Sequence, residues 1–90
     1  MGKETILFKS EENKDIHSVA ALLRELADKI ESQQVILKQG KQEVKLKIPN
    51  TVELEIKAER EDGKNKSKKK LEIEIEWLLG QKDSGAFSLG

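Results

Sequence analysis

Three sets of residues in this chain have types and spacing suited to chemistry. Glu72, Glu74 and Glu76 alternate with Leu71, Ile73, Ile75 and Trp77, and Glu53 and Glu55 alternate with Val52, Leu54 and Ile56. Such an acidic ladder offers oxygens to a divalent cation or to a basic partner. Hard cations want several oxygens converging from more than one direction. A flat sheet face supplies them on flexible stalks, so a weak protein contact is the better functional reading and a solvated face the plainer one. The second set is Lys64, Lys66, Lys68, Lys69 and Lys70. These lysines could grip a phosphate backbone in a salt-dependent way. The cluster holds no arginine and no aromatic, and base stacking needs aromatics. Its plainer reading is a solvated hairpin loop that discourages edge-to-edge strand association. The third set is His17 alone, the only histidine. Catalytic triads assemble in three dimensions, but no serine or carboxylate stands at a diagnostic spacing from it. The stretch "GKNKSKKK" lacks the Walker spacing and its strand-to-helix context.

Trp77, the single tryptophan, closes the "LEIEIEW" row. It reads as a core residue at a strand end, or as a half-exposed anchor of the kind that binding partners favour. Leu78, Leu79, Phe87 and Leu89 follow it and would cover it or extend the same patch.

Composition narrows the possibilities. Leu, Ile, Val and Phe make up 25 of 90 residues, above the roughly 20% below which a chain tends to disorder. Charged residues reach 38% with a net charge of zero, so self-repulsion does not oppose collapse, and no global charge argues for nucleic acid or an anionic membrane. Without cysteine there is no disulfide, thiolate metal site or thiol nucleophile. No segment has the apolar length of a signal peptide or a membrane span, which makes the cytoplasm the expected location. No cofactor is expected.

The elements that position these residues follow from periodicity. Residues 4–9 read as a short strand. Asp15 is the expected N-cap of one helix, its carboxylate accepting a first-turn N–H. Ile16, Val19, Ala20, Leu23, Leu26, Ala27 and Ile30 then follow the 3.6-residue period, and Ser32-Gln33 ends the helix. Four alternating runs come next: Val35 and Leu37; Val44, Leu46 and Ile48; Val52, Leu54, Ile56 and Ala58; and Leu71 to Trp77. Period two implies a sheet with one buried face, roofed by the one amphipathic helix.

Residues directly opposite in an antiparallel pair share a face, which fixes the registers. A two-residue turn at Gly40-Lys41, of type II′, sets Lys38 on Glu43 and Leu37 on Val44. A three-residue loop, Pro49-Asn50-Thr51, sets Ile48 on Val52, Lys47 on Glu53, Lys45 on Glu55 and Glu43 on Lys57. The last hairpin sets Ala58 on Leu71, Ile56 on Ile73, Leu54 on Ile75, Val52 on Trp77 and Lys57 on Glu72. It also doubles acids, Glu55 on Glu74 and Glu53 on Glu76, and Lys45 and Lys47 one strand further over would partly neutralise them. The connection "EDGKNKSKKK" reads as a polar loop. The place of the first strand in the sheet stays open.

The stretches "LFKSEE", "VAALLRELADKIES", "VILKQGKQEVKLKIPNTVELEIKAE" and "KKKLEIEIEW" together resemble the amphi-Trp domain, a small prokaryotic family. The likeness covers residues 5–77, with the "LADKIES" helix end, the "IPNTVELEI" turn and the terminal tryptophan in order. It implies a stand-alone α+β module and carries no activity to transfer.

The expectation is therefore one two-layer α+β domain over residues 1–79. It has a largely antiparallel five-stranded sheet, one helix packed on one face, the order β-α-β-β-β-β, and a mobile tail over 80–90. The expected function is a non-catalytic interaction module that binds another protein or itself through a charged sheet face, an edge or the Trp77 end. The alternative is nucleic-acid or polyanion binding through Lys64–Lys70. An enzyme using His17 or a glutamate pair comes third, and no membrane partner is expected.

Overall fold

The structure, a computed structural model, describes residues 2–80. It divides between Asn50 and Thr51 into two compact units.

The first unit carries one helix, α1 (Ile16–Glu31), and a hairpin of β1 (Gln34–Gln39) and β2 (Gln42–Lys47). Asp15 caps α1 as expected. Its carboxylate accepts from the Ser18 backbone N–H at 3.2 Å and from the Ser18 hydroxyl at 2.6 Å, and both bonds hold the Asp15 carboxyl below the usual range. At the other end the Ser32 hydroxyl donates to the Lys29 carbonyl at 2.7 Å, and Gln33 turns left-handed at φ 65°. That conformation satisfies helix-end carbonyls and is usually taken by glycine. Here the glutamine side chain has its own work: its amide donates to the Ile48 carbonyl at 3.0 Å and to the Asn50 side chain at 2.8 Å.

The β1–β2 register is the expected one, with Leu37 on Val44 and Lys38 on Glu43. Gly40 has φ +60° and Lys41 has no positive φ, as a type II′ turn requires. The helix packs on β1. Val35 and Ile48 are buried at 6% and 9% exposure, and Leu26, Ile30, Leu37, Val44 and Leu46 are half-buried. Ile16 and Leu23, assigned to the inward stripe from periodicity, are exposed. The expected first strand is not formed: residues 4–9 have no regular structure, although the Leu7 carbonyl accepts from the Gln42 side chain at 3.0 Å.

The second unit is a hairpin of β3 (Glu53–Asp62) and β4 (Ser67–Glu76). Its register is again the expected one, from Glu53 on Glu76 through Ala58 on Leu71, and it runs on to Asp62 on Ser67. Much of the presumed loop is therefore strand. The ladder ends at Glu53 and Glu76, so the expected Val52/Trp77 pair lies one step beyond it. Gly63 closes the turn, its N–H donating to the Lys66 carbonyl at 2.7 Å. A Cβ on Gly63 would stand 3.1 Å from that same oxygen.

The five-stranded sheet is thus corrected to two two-stranded antiparallel sheets, β1-β2 and β3-β4, in the order α-β-β-β-β. The helix lies on β1 rather than across a common sheet. Hydrogen-bond phase explains why the expected Pro49-Asn50-Thr51 hairpin does not extend the ladder. Along a strand, successive residues direct their N–H and C=O groups to alternate sides. The Ile48 N–H bonds the Gln33 carbonyl, so even-numbered residues of β2 face β1, and Glu43, Lys45 and Lys47 face its open edge. The Gly63–Lys66 bond fixes the opposite phase on β3, where odd-numbered residues face β4, and Leu54 and Ile56 face the open edge. Opposed residues in an antiparallel ladder must both offer their backbone groups or both withhold them. Lys47 on Glu53 and Lys45 on Glu55 fail that condition.

Among the described residues no helix is long and apolar enough to cross a membrane. The expected tail beyond Gly80, with Phe87 and Leu89, lies outside the described residues.

Candidate interaction surface on the second hairpin

The pleat gives the β3–β4 hairpin two faces of different character. One carries Leu54, Ile56 and Ala58 from β3 opposite Ile75, Ile73 and Leu71 from β4. Large side chains on this face are open: Leu54 is 58% exposed, Ile56 65%, Leu71 69% and Ile73 56%. Toward the strand ends the same face closes somewhat, with Val52, Ile75 and Trp77 half-buried. Toward the turn it becomes cationic, with Arg60 directly opposite Lys69. The Arg60 guanidinium donates to Asp62 at 3.0 Å. The Ser67 hydroxyl donates to the same carboxylate at 2.7 Å. The Asp62 carboxyl is held below its usual range by Ser67 first and Arg60 second.

The other face is entirely charged, and it divides into two halves. Near the turn the charges alternate. Lys57 lies 3.0 Å from Glu59 and 3.8 Å from Glu72, and Lys70 lies 3.5 Å from Glu59 and 3.2 Å from Glu72. These four form a closed ring in which each residue touches two of opposite sign. The hydrogen bond from Lys57, then its charge and that of Lys70, hold the Glu59 carboxyl below the usual range. Glu59 raises Lys57, and Glu72, ahead of Glu59, raises Lys70. One step nearer the turn, Lys68 lies 4.0 Å from Glu61.

Away from the turn the pattern fails. Glu55 faces Glu74 and Glu53 faces Glu76, and within this hairpin none of the four is within ion-pair distance of a described cation. The expected relief from Lys45 and Lys47 required a third strand, and the sheet has two. Like charges directly opposite destabilise a strand pair, so this end carries a repulsion that no ion pair within the hairpin offsets.

The three sets of residues singled out from sequence meet different fates. Glu53, Glu55, Glu72, Glu74 and Glu76 do share one face, but Glu72 belongs to the ring and not to the unpaired group. The lysine cluster is dispersed. Lys64 and Lys66 sit in the turn, Lys68 and Lys70 stand on the charged face beside carboxylates, and Lys69 points to the other face beside Arg60. His17 lies exposed in the first turn of α1. Sequence reading set Lys57 on Glu72, as observed, but missed Glu59 and Lys70 and the stretch of strand that carries them. The signal was there in charge: Glu59 and Glu61 have the two-residue spacing of Lys68 and Lys70. Among the described residues no group of three or more His, Cys, Asp or Glu is arranged to hold a metal ion. An open cavity of about 580 Å³ lies in the first unit, between α1 and β1, lined by Leu22, Leu26, Val35 and Leu37 among others.

Comparison with curated proteins and with solved structures found no match. The family model described as "Amphi-Trp domain" matches residues 1–90, beyond the 5–77 span of the sequence resemblance, and the chain belongs to the Amphi-Trp domain family.

Proposed function

We propose that this chain is a non-catalytic interaction module of the cytoplasm, which binds a protein, another or its own kind, through the β3–β4 hairpin. The observation that carries the reading is the open apolar row of Leu54, Ile56, Leu71 and Ile73. A contiguous exposed apolar patch rimmed by charge marks an interaction site more often than idle surface. Isolated two-stranded hairpins are at best marginally stable in water, so a partner that covers or extends this one is favoured by the hairpin itself. Trp77, half-buried at the end of the row, supplies an anchor of the type common at interface centres.

The test is affinity capture with the full chain, comparing the wild type with a Leu54→Lys/Ile73→Lys variant. The proposal expects a partner that the wild type retains and the variant loses. Equal recovery by both, with the variant's circular dichroism unchanged, would sink it. Polyanion binding through Lys64–Lys70 has less support, since Lys68 and Lys70 already stand beside carboxylates. A gel shift at low salt, lost when those lysines become glutamine, is the result that would reverse that preference.

A further inference from the structure

The charges on β4 and its turn are antisymmetric about one residue. Before Leu71 stand Lys68 and Lys70 on the charged face and Lys66 at the turn; after it, at the same spacing, stand Glu72, Glu74 and Glu76. A strand written in this way is complementary to itself when reversed. We propose that the open edge of β4 takes the same edge of a second copy, antiparallel, with Leu71 on the two-fold axis. This rests on the interaction-module reading and names its partner.

Register and hydrogen-bond phase both fit. With Leu71 opposite the partner's Leu71, Lys70 meets the partner's Glu72, Lys68 meets the partner's Glu74, and Lys66 meets the partner's Glu76. The symmetry repeats each pair, giving six. Sliding either way by the two residues that keep the faces matched puts a like pair on the axis: one shift sets Lys70 on the partner's Lys70, the other sets Glu72 on the partner's Glu72. The Gly63–Lys66 bond places the backbone groups of even-numbered β4 residues toward β3. Odd-numbered residues, Leu71 among them, therefore present theirs at the open edge. In the two-fold register Leu71 meets the partner's Leu71, and Lys69 meets the partner's Ile73, so offered groups meet offered groups throughout.

The joint answers the fault left within one hairpin. Glu74 and Glu76 face only Glu55 and Glu53 across the ladder, and the second copy brings lysines to them from the other side. Two strands become four, past the three or so that a stable sheet needs. The open apolar rows become one continuous face. Lysines on a strand edge ordinarily deter pairing, but here each meets a glutamate, so they select one register instead of forbidding all. An isologous two-fold contact is also the commonest way for identical chains to associate.

Sedimentation equilibrium of the full chain over a concentration series should show a reversible dimer that weakens as salt rises. Two variants give the decisive comparison. Lys66→Glu/Lys68→Glu sets acid on acid across the two-fold, and Glu74→Lys/Glu76→Lys sets base on base, so each alone should dimerise about tenfold more weakly or worse. Mixed in equal amounts they regain every pair and should form a heterodimer of near wild-type affinity. A single Leu71→Cys substitution, in a chain with no other cysteine, should form a disulfide across the axis, where paired Cα atoms stand about 5.5 Å apart. Ile73→Cys should cross-link far more slowly. A wild type that stays monomeric at the highest concentration overturns the proposal. So do charge variants that each dimerise as well as the wild type, or a mixture that fails to recover. If the chain is monomeric yet the Leu54→Lys/Ile73→Lys pair still abolishes capture of another protein, the interaction-module reading survives and this one does not.

Discussion

The two hairpins are written in the same alternation and come to different ends. In β1–β2 the apolar row lies under a helix, and Val35 falls to 6% exposure. In β3–β4 the apolar row is longer, yet Ile73 keeps 56% exposure. Alternation in a sequence specifies that a strand has two faces and which residues oppose which. It does not specify what lies on either face. The first hairpin has its cover joined to it by the tight Ser32-Gln33 link. The second carries its excess in charge and in open apolar surface.

The largest effect should come from setting the two rows against each other. Val35→Ala removes buried methyl groups and should cost about 2 kcal/mol in urea unfolding followed by helical circular dichroism. Ile73→Ala, on the open row, should cost about 0.5 kcal/mol or less, followed by Trp77 fluorescence. Should the two prove equally costly, the rows do not differ in cover, and the contrast is lost.

The turns sharpen the same comparison. Gly40 holds φ +60° with nothing within 4 Å of a would-be Cβ, and Gly63 has an ordinary φ but a Lys66 carbonyl at 3.1 Å. Gly40→Ala meets only backbone strain, about 1–2 kcal/mol. Gly63→Ala meets only crowding, which a small shift of the turn can relieve, so its cost should be smaller. Finding the reverse order would mean that the long hairpin, not the short one, depends on its turn.

A smaller effect is expected at the helix start. Asp15→Ala removes both bonds to Ser18 and leaves an orphan N–H in the first turn. Helical ellipticity and the urea midpoint of the first unit should fall, by less than Val35→Ala causes, while Trp77 fluorescence is unmoved. An equal loss in both signals would show that the units do not respond separately.

These contrasts show what the sequence could and could not express. Both hairpin registers were legible, because a slip of one residue would exchange apolar and charged faces. The Asp15 cap was legible from residue type and the onset of helical period. The division into two sheets was not, because it depends on backbone phase. Nothing in "IPNTVELEI" says that the Ile48 N–H faces Gln33 while Leu54 and Ile56 face an open edge. The end of β3 and the beginning of β4 were missed for another reason. From Glu59 to Asp62 and from Ser67 to Lys70 both faces are polar, so the apolar beat falls silent and only the facing Glu and Lys spacings continue it. Residues 4–9 erred in the opposite direction: Ile6 and Phe8 alternate as a strand would, but no neighbour pairs with them.

The smallest effect lies in the charged ring, and pH isolates it. The Glu59 carboxyl is depressed by Lys57 and Lys70, so its stabilising effect is full above the ordinary carboxylate range and is lost as pH falls through its lowered native value. Lys57 and Lys70 are raised, so their effect is full below the ordinary amine range and fades as pH rises through their higher native values. Between those limits the ring's contribution should be flat. All three side chains are open to solvent, so screening keeps the effect small and salt should shrink it further. Glu59→Gln should therefore lower the Trp77-monitored urea midpoint at neutral pH and converge with the wild type in acid, where Glu59 is protonated in both native and unfolded chains. High salt should narrow the neutral gap as well. A gap that persists unchanged into strong acid would show that Glu59 acts through packing rather than charge. The distinction between a self-neutralised half of the hairpin and an unpaired half would then have to be redrawn.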